Sequence, residues 1–344
     1  MVSFESDYNN GVQPEILHRL IDTNDEQASG YGNDPYCELA KEKIRHACQM
    51  GNAEIYFLIG GTQTNTTMID ALLAPGEGVI AADTAHINVH EAGAVEAFGH
   101  KVLTLPSSDT KLTAQQVADY MERFLADPSH EHEVQPGMVY ITLPTEMGLV
   151  YSQKELGALY DVVRRYHLSL YVDGARLGYG LAAEDTDMTL PFLAHHCDAF
   201  YIGGTKVGAM FGEAVVFSQQ RPPRSFFTTI KRHGALLAKG RMLGLQFDTL
   251  FTDDLYGRIS RHTIDMAMRM KALFRKYGIK LAIDSPTNQQ FVILTPEQQQ
   301  RLAQSIVFEV WEQKDDKQLI CRFVTSWATT DEDLTALEKA LANG

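Results

Sequence analysis

The 344-residue sequence has no run of about 18 consecutive apolar residues, which excludes an ordinary membrane-spanning helix. Its start, "MVSFESDYNN", has no basic stretch leading into an apolar run, so no secretory signal is expected. Basic residues are outnumbered: 30 Lys and Arg face 44 Asp and Glu, a formal net charge of −14. That balance argues against a nucleic-acid partner, which needs a concentrated basic surface. Cysteine is scarce, four residues without C-x-x-C spacing, the usage expected of reduced thiols in a cytoplasmic protein. Walker A, G-x-G-x-x-G and H-E-x-x-H spacings are all missing, so neither nucleotide fingerprint nor a metal site of that type is expected. There is no internal repeat and no low-complexity segment.

What is present is a series of β-rich runs with helical segments among them. Strands are expected at "EIYFLI" from Glu54, "GVIAAD" from Gly78, "KVLTL" from Lys101, "MVYITL" from Met138, "LSLYV" from Leu168, "AFYI" from Ala199 and "EAVVF" from Glu213. Several are nearly continuous apolar runs, as in strands covered on both faces. The segment "SQKELGALYDVVRRYH" reads as a helix, with Ser152 and Glu155 in a capping-box pattern and Leu156, Leu159, Tyr160, Val163 and Tyr166 on one face. Strand, helix, strand at this spacing predicts an α/β fold, a large mostly parallel sheet flanked by helices.

The length and 44% hydrophobic content allow one large domain and a smaller one. Residues 1–220 are expected to form an N-terminal arm and the large domain. Residues 221–344 are expected to hold a linker, begun in "QQRPPRS", and a small C-terminal α+β domain. That domain would contain a long helix over "LYGRISRHTIDMAMRMKALFRKYG", strands at "FVIL" and "CRFVTSW", a polar helix from Pro296, and a last helix opened by Thr330 or Asp331.

Within "DAFYIGGTKVGAMFGEAVVF", Lys206 stands almost alone among apolar and small residues. Desolvating an ammonium is unfavourable, so such a lysine has its charge paired, shifted or chemically consumed. In "IYFLIGGTQTNTTMIDALL" a strand runs into Gly60-Gly61 and a helix opens near Thr62, an anion site to which the hydroxyls of Thr62 or Thr64 can add bonds. Asp173 in "LSLYVDGARLGYG" falls just past a buried strand, where open α/β sheets place their ligands; there it either caps the next segment, pairs with Arg176, or faces a protonated ring nitrogen. His86 follows another strand on the same edge and offers a flat imidazole for stacking. Separately each has an ordinary structural explanation. Together they match pyridoxal 5'-phosphate (PLP), with its phosphate, protonated ring nitrogen, flat face and an aldehyde that forms a Schiff base with lysine.

The ordered series "FESDYNNGVQPEIL", "GYGNDPY", "GGTQTN", "AHINVHEAGA", "YVDGARL" and "GGTKVGA" resembles the threonine aldolases, in the β-eliminating lyase group of fold-type I PLP enzymes. The resemblance implies that Lys206 carries the cofactor, that Asp173 keeps the pyridine nitrogen protonated, and that His86 stacks on the ring. It implies cofactor contacts from Gly61, Thr62 and Thr205, and places Arg176 near the ring hydroxyl and the substrate carboxylate. Ser6 and Arg322 would complete the carboxylate clamp, and Tyr31 would reach a neighbouring subunit's site in a homodimer or tetramer. The implied reaction is retro-aldol cleavage of L-threonine or L-allo-threonine to glycine and an aldehyde. β-Elimination or transamination of another amino acid is the alternative.

Two places depart from the family pattern. Glu146 stands about where the family often has a histidine suited to taking the β-hydroxyl proton; Glu146, a water or His86 could serve instead. A late family arginine is replaced within "KRHGALLAKGRMLG", where Lys231, Arg232, Lys239 or Arg241 could meet the phosphate, or simply form a solvated basic face.

Overall fold

The computed structural model describes residues 1–218 and 221–342. Gln219 and Gln220, at the head of the expected linker, lie outside the described residues. A two-residue strand, β1 (Val2–Ser3), opens the chain. Seven strands then build one sheet: β2 (Glu54–Leu58), β3 (Glu77–Ala82), β4 (Val102–Leu105), β5 (Gln135–Thr142), β6 (Ser169–Asp173), β7 (Ala199–Gly203) and β8 (Glu213–Phe217). These are the seven runs expected to be strands. Their spatial order is β2-β8-β7-β6-β5-β3-β4. Only β8 runs against the rest, since both of its pairings are antiparallel and the other pairings in the sheet are parallel.

The direction of the strands places the site. Six of them end at one edge, so Gly60, Asp173 and Gly203 arrive there together. The reversed β8 delivers its first residue, Glu213, to the same edge, opposite both Leu58 and Gly203. Helices cover both faces, as the apolar strands require. The helix Gln153–Arg165 opens on the expected capping box: Ser152 Oγ accepts the Glu155 N–H, and the Glu155 carboxylate accepts the Ser152 N–H at 2.7 Å. Removing such a cap weakens a helix by about 0.5–2 kcal/mol.

A second, four-stranded antiparallel sheet follows, from β9 (Lys280–Ile283), β10 (Gln289–Leu294), β12 (Glu309–Asp315) and β13 (Gln318–Val324). The two-residue β11 (Ile306–Val307) pairs in parallel with β1. The long helix Leu255–Lys276 joins the two cores, with Ile259 and Ile264 packed in the first and Met266, Met270 and Phe274 in the second. Burying side chains of this size contributes about 1.5–3 kcal/mol each. Phe4 also packs in the second core, and its carbonyl accepts the Val324 N–H at 2.8 Å. The chain start is thereby fixed to the small sheet before Asp7 and Tyr8 reach the edge of the large one. The last helix, Asp331–Ala342, opens at Thr330, whose Oγ1 accepts the Asp333 N–H.

Candidate active site

At the shared strand edge lies a cavity of about 310 Å³ whose lining includes Gly61, Thr62, His86, Glu146, Asp173, Arg176, Thr205 and Lys206. A larger, mostly apolar groove of about 880 Å³ runs beside the long helix and includes none of these residues. The smaller cavity is therefore where the chemistry gathers.

The helix Gly61–Leu72 begins at the cavity wall, and its N-cap, Gly60, supplies no side-chain cap. The first N–H groups of this twelve-residue helix thus lack helical partners and face the cavity with the positive end of the dipole. Close by, Thr64 Oγ1 is buried without a hydrogen-bond partner among the described residues.

Asp173 ends β6 with only 2% of its surface exposed. Its Oδ2 accepts the Tyr140 hydroxyl at 2.6 Å and Asn65 Nδ2 at 2.9 Å, and Oδ1 accepts the Ala175 N–H at 2.9 Å. Burial alone would raise its pKa. The bonds from Tyr140 and Asn65 and the His86 charge outweigh that, so the carboxyl is held below the usual range and stays anionic. Asn65 also donates to Glu91 Oε1 at 2.8 Å, and the same oxygen meets His86 Nδ1 at 2.7 Å. A continuous hydrogen-bonded chain therefore runs His86–Glu91–Asn65–Asp173–Tyr140. The contact with Glu91 fixes the orientation of the imidazole ring.

Arg176 does not pair with Asp173. Its Nε and Nη2 donate to Asp7 Oδ2 and Oδ1 at 2.7 and 3.0 Å, and Asn288 Nδ2 adds a bond to Asp7 Oδ2 at 2.9 Å. Glu146 Oε1 accepts the Thr142 hydroxyl at 2.7 Å and the His86 backbone N–H at 2.9 Å, so it anchors the turn that carries His86. Burial pushes the Glu146 carboxyl up, against those bonds.

Lys206 follows β7, with its ammonium 5.9 Å from the centroid of the Tyr8 ring. Burial and the Arg176 charge push its pKa down, and Asp7, Asp173 and Glu213 pull the other way. Glu213, 4% exposed, accepts the Gly204 N–H at 3.1 Å and the Thr205 hydroxyl at 2.8 Å. Thr205 Oγ1 in turn accepts the Gly212 N–H at 3.0 Å. The Thr205 hydroxyl proton is thus committed to holding the loop before Lys206. Burial raises the Glu213 pKa.

A second cavity of about 260 Å³ adjoins the first, sharing Tyr8, His86, Glu146, Arg176 and Lys206 with it and adding His90, Gln289, Glu309, Trp311 and Arg322. Arg322 is only 9% exposed. It donates to Gln289 Oε1 at 3.1 Å, pairs with Glu309, lies 5.0 Å from the Trp311 ring centroid, and keeps a buried Nε without a partner among the described residues.

Other expected residues are not brought here. Ser6 is buried with its Oγ unpartnered among the described residues, and it lines neither cavity. Tyr31 is elsewhere, under the Lys231 ammonium at 4.6 Å. Arg232 pairs with Asp70, and Arg241 donates to the carbonyls of Glu26 and Thr23 at 2.6 and 2.7 Å. The residues that sequence reasoning passed over are Asp7, Asn65, Glu91, Tyr140 and Glu213. Asn65 and Glu91 did leave a trace, since they stand four and five residues after Gly61 and His86, within the "GGTQTN" and "AHINVHEAGA" motifs.

The sheet order, the strand-end lysine and the anionic aspartate define a fold-type I PLP-dependent enzyme. Residues 4–271 match the beta-eliminating lyase family, and the chain belongs to it. It is 29% identical over 293 residues to a low specificity L-threonine aldolase of a Pseudomonas species, covering 84% of this chain and 83% of that one. To the enzyme of that name from Pseudomonas aeruginosa it is 28% identical, with 85% and 84% covered. Among solved structures, a Leishmania major threonine aldolase superposes with a TM-score of 0.96 at 38% identity, over 100% of this chain and 99% of that one. A Thermus thermophilus aspartate aminotransferase shares the fold at 15% identity, with a TM-score of 0.71 over 100% of this chain and 91% of its own.

Proposed function

We propose that this chain is a PLP-dependent aldolase that cleaves L-threonine, L-allo-threonine and related β-hydroxy-α-amino acids between Cα and Cβ, releasing glycine and an aldehyde. The observation that carries this is the meeting, in one cavity, of a half-buried lysine with lowered proton affinity, a carboxylate held anionic, and an uncapped helix N-terminus. These residues fit the cofactor at three points: amine for aldehyde, anion for ring N–H, free backbone donors for phosphate.

PLP, when bound, supplies the electron sink for breaking a bond at Cα. The chain's residues do the rest. Lys206 would hold the cofactor through its amine, the side-chain amine that lines the cavity beside Asp173. Asp173, fixed by Tyr140 and Asn65, keeps a proton on the ring nitrogen. His86, fixed by Glu91 and by Glu146 at its backbone, supports the ring face. Gly61 and Thr62 meet the phosphate, and Thr205 sets the loop that presents Lys206. Arg176 and Arg322 bind the substrate carboxylate, and the unpartnered Arg322 Nε supports that role. Holding the carboxylate at these two arginines would orient the substrate and so select which bond at Cα is broken.

The working unit is a homodimer or tetramer with shared sites, to which exposed Tyr31 would contribute, in the cytoplasm, where four buried free thiols stay reduced. Purified protein incubated with L-threonine, L-allo-threonine and phenylserine tests the activity. Glycine and aldehyde in equal amounts are expected. Ammonia with pyruvate, or a keto acid, would assign the site to β-elimination or transamination instead.

A further inference from the structure

The aldolase reading leaves one proton without a carrier, the one on the β-hydroxyl, and a residue of the outer cavity is placed to take it. We propose that His90 is the base that removes the β-hydroxyl proton as the Cα–Cβ bond breaks; this rests on the aldolase reading.

Two imidazoles, His86 and His90, line the cavities, and of the carboxyls there Glu146 is the one that lines both. His86 has its Nδ1 engaged by Glu91. Glu146 has its Oε1 engaged by Thr142 and by the His86 N–H, bonds that hold the turn and that favour its anionic form. His90 differs. Its ring nitrogens make no hydrogen bond among the described residues, and its ring lies 5.6 Å from the His86 ring and 5.5 Å from that of Trp311. It is exposed, beside His86, on the wall of the cavity that also holds Lys206, Arg176 and Arg322. A substrate whose carboxylate meets those arginines occupies the cavity that His90 lines.

The charges facing the ring favour a free base. Burial and the His86 charge lower its pKa, Glu309 pulls it up, and Arg322 lowers it. Glu309 is itself paired with Arg322. At neutral pH the ring is therefore an acceptor.

The step balances. The hydroxyl proton passes to the His90 ring, the O–H electron pair becomes the second bond of the aldehyde carbonyl, and the Cα–Cβ pair stays with the glycine fragment. The imidazolium then returns its proton to solvent at the open mouth. Protonation of the glycine fragment at Cα does not involve His90, and this separates the residue's role from that of the rest of the site.

The test compares His90→Asn and His90→Ala with the unsubstituted enzyme and with Glu146→Gln. Three readouts are needed: kcat and KM for phenylserine cleavage across pH, visible absorbance of the bound cofactor, and exchange of the glycine α-hydrogen with deuterated water by NMR. Both His90 variants should cleave roughly 100-fold more slowly in kcat and lose the acid limb of the pH profile, with absorbance and glycine exchange within about two-fold of normal. Cleavage at the normal rate, an unchanged acid limb, or equal loss of cleavage and glycine exchange would each overturn the assignment. So would Glu146→Gln alone removing the acid limb. If the unsubstituted protein exchanges glycine but cleaves no β-hydroxy amino acid, the aldolase reading itself falls, and the role of His90 with it.

Discussion

Arg176 grips Asp7 through two parallel bonds, Nε to Oδ2 at 2.7 Å and Nη2 to Oδ1 at 3.0 Å, and Asp7 is almost wholly buried. This ties the N-terminal segment to the end of β6, across 169 positions of sequence. It also holds the guanidinium planar and fixed at the wall shared by both cavities. Breaking a buried pair by removing one partner is destabilising by about 3–5 kcal/mol, because the other charge stays behind. Asp7→Asn should therefore lower the melting temperature by several degrees and raise KM for the amino acid more than it lowers kcat. The pH dependence has a definite sign. Burial raises the Asp7 pKa, but the Arg176 and Lys206 charges and the bonds from Arg176 and Asn288 outweigh it, leaving the folded value below the ordinary 3.8. The stabilisation is thus present above that value and lost as pH falls through the folded one. Thermal melts between neutral pH and strong acid should show a smaller acid loss in Asp7→Asn; an identical loss would remove Asp7 from this role.

Lys206→Ala should abolish both the covalent adduct trapped by borohydride and amino-acid cleavage. Mass spectrometry of the reduced, digested wild-type protein should find the adduct at position 206. Because burial and Arg176 lower the Lys206 pKa from 10.5, the neutral amine is available at lower pH than in an exposed lysine. Recombination of cofactor-free protein with the aldehyde should accordingly speed up with a midpoint below pH 10.5. Stopped-flow absorbance checks this, and a midpoint at or above that value contradicts it.

Asp173→Ala should reduce turnover by roughly 100-fold or more, since an unprotonated pyridine accepts electrons poorly. Cofactor retention on dialysis should weaken in parallel. Tyr140→Phe removes one of the bonds that keep Asp173 anionic and should have a smaller effect in the same direction, about ten-fold in kcat. A Tyr140→Phe enzyme more impaired than Asp173→Ala would make the phenol, not the carboxylate, the main support of the ring nitrogen.

Gly174 links the two chemical strand ends. A Cβ placed there would fall 1.9 Å from the Tyr201 carbonyl oxygen, and the Gly203 N–H reaches the Gly174 carbonyl at 2.9 Å. The ends of β6 and β7, hence Asp173 and Lys206, approach each other only because no side chain intervenes. Gly174→Ala should destabilise by roughly 4 kcal/mol or more, an exceptional value for one methyl group. Loss of soluble protein or a markedly lower melting temperature is expected, and a stable, active Gly174→Ala enzyme would show the approach to be unimportant.

The apolar runs determined where the chain forms strands, because burial on both faces writes itself as continuous hydrophobicity. Ser152 with Glu155, and Thr330, likewise determined helix starts through bonds that span three residues. Lys206, Asp173, His86 and Gly61 were legible for a related reason: each stands at a strand end, and strand ends of a parallel sheet share one edge. Only the tertiary structure decided the partners. Asp7 with Arg176, Asn65 with Asp173, Glu91 with Asn65, and the arrival of Glu213 on a reversed strand all join residues far apart in sequence. Such contacts have no period and no fixed spacing. They follow from strand order and direction, which are set by how whole layers pack rather than by any local stretch of residues.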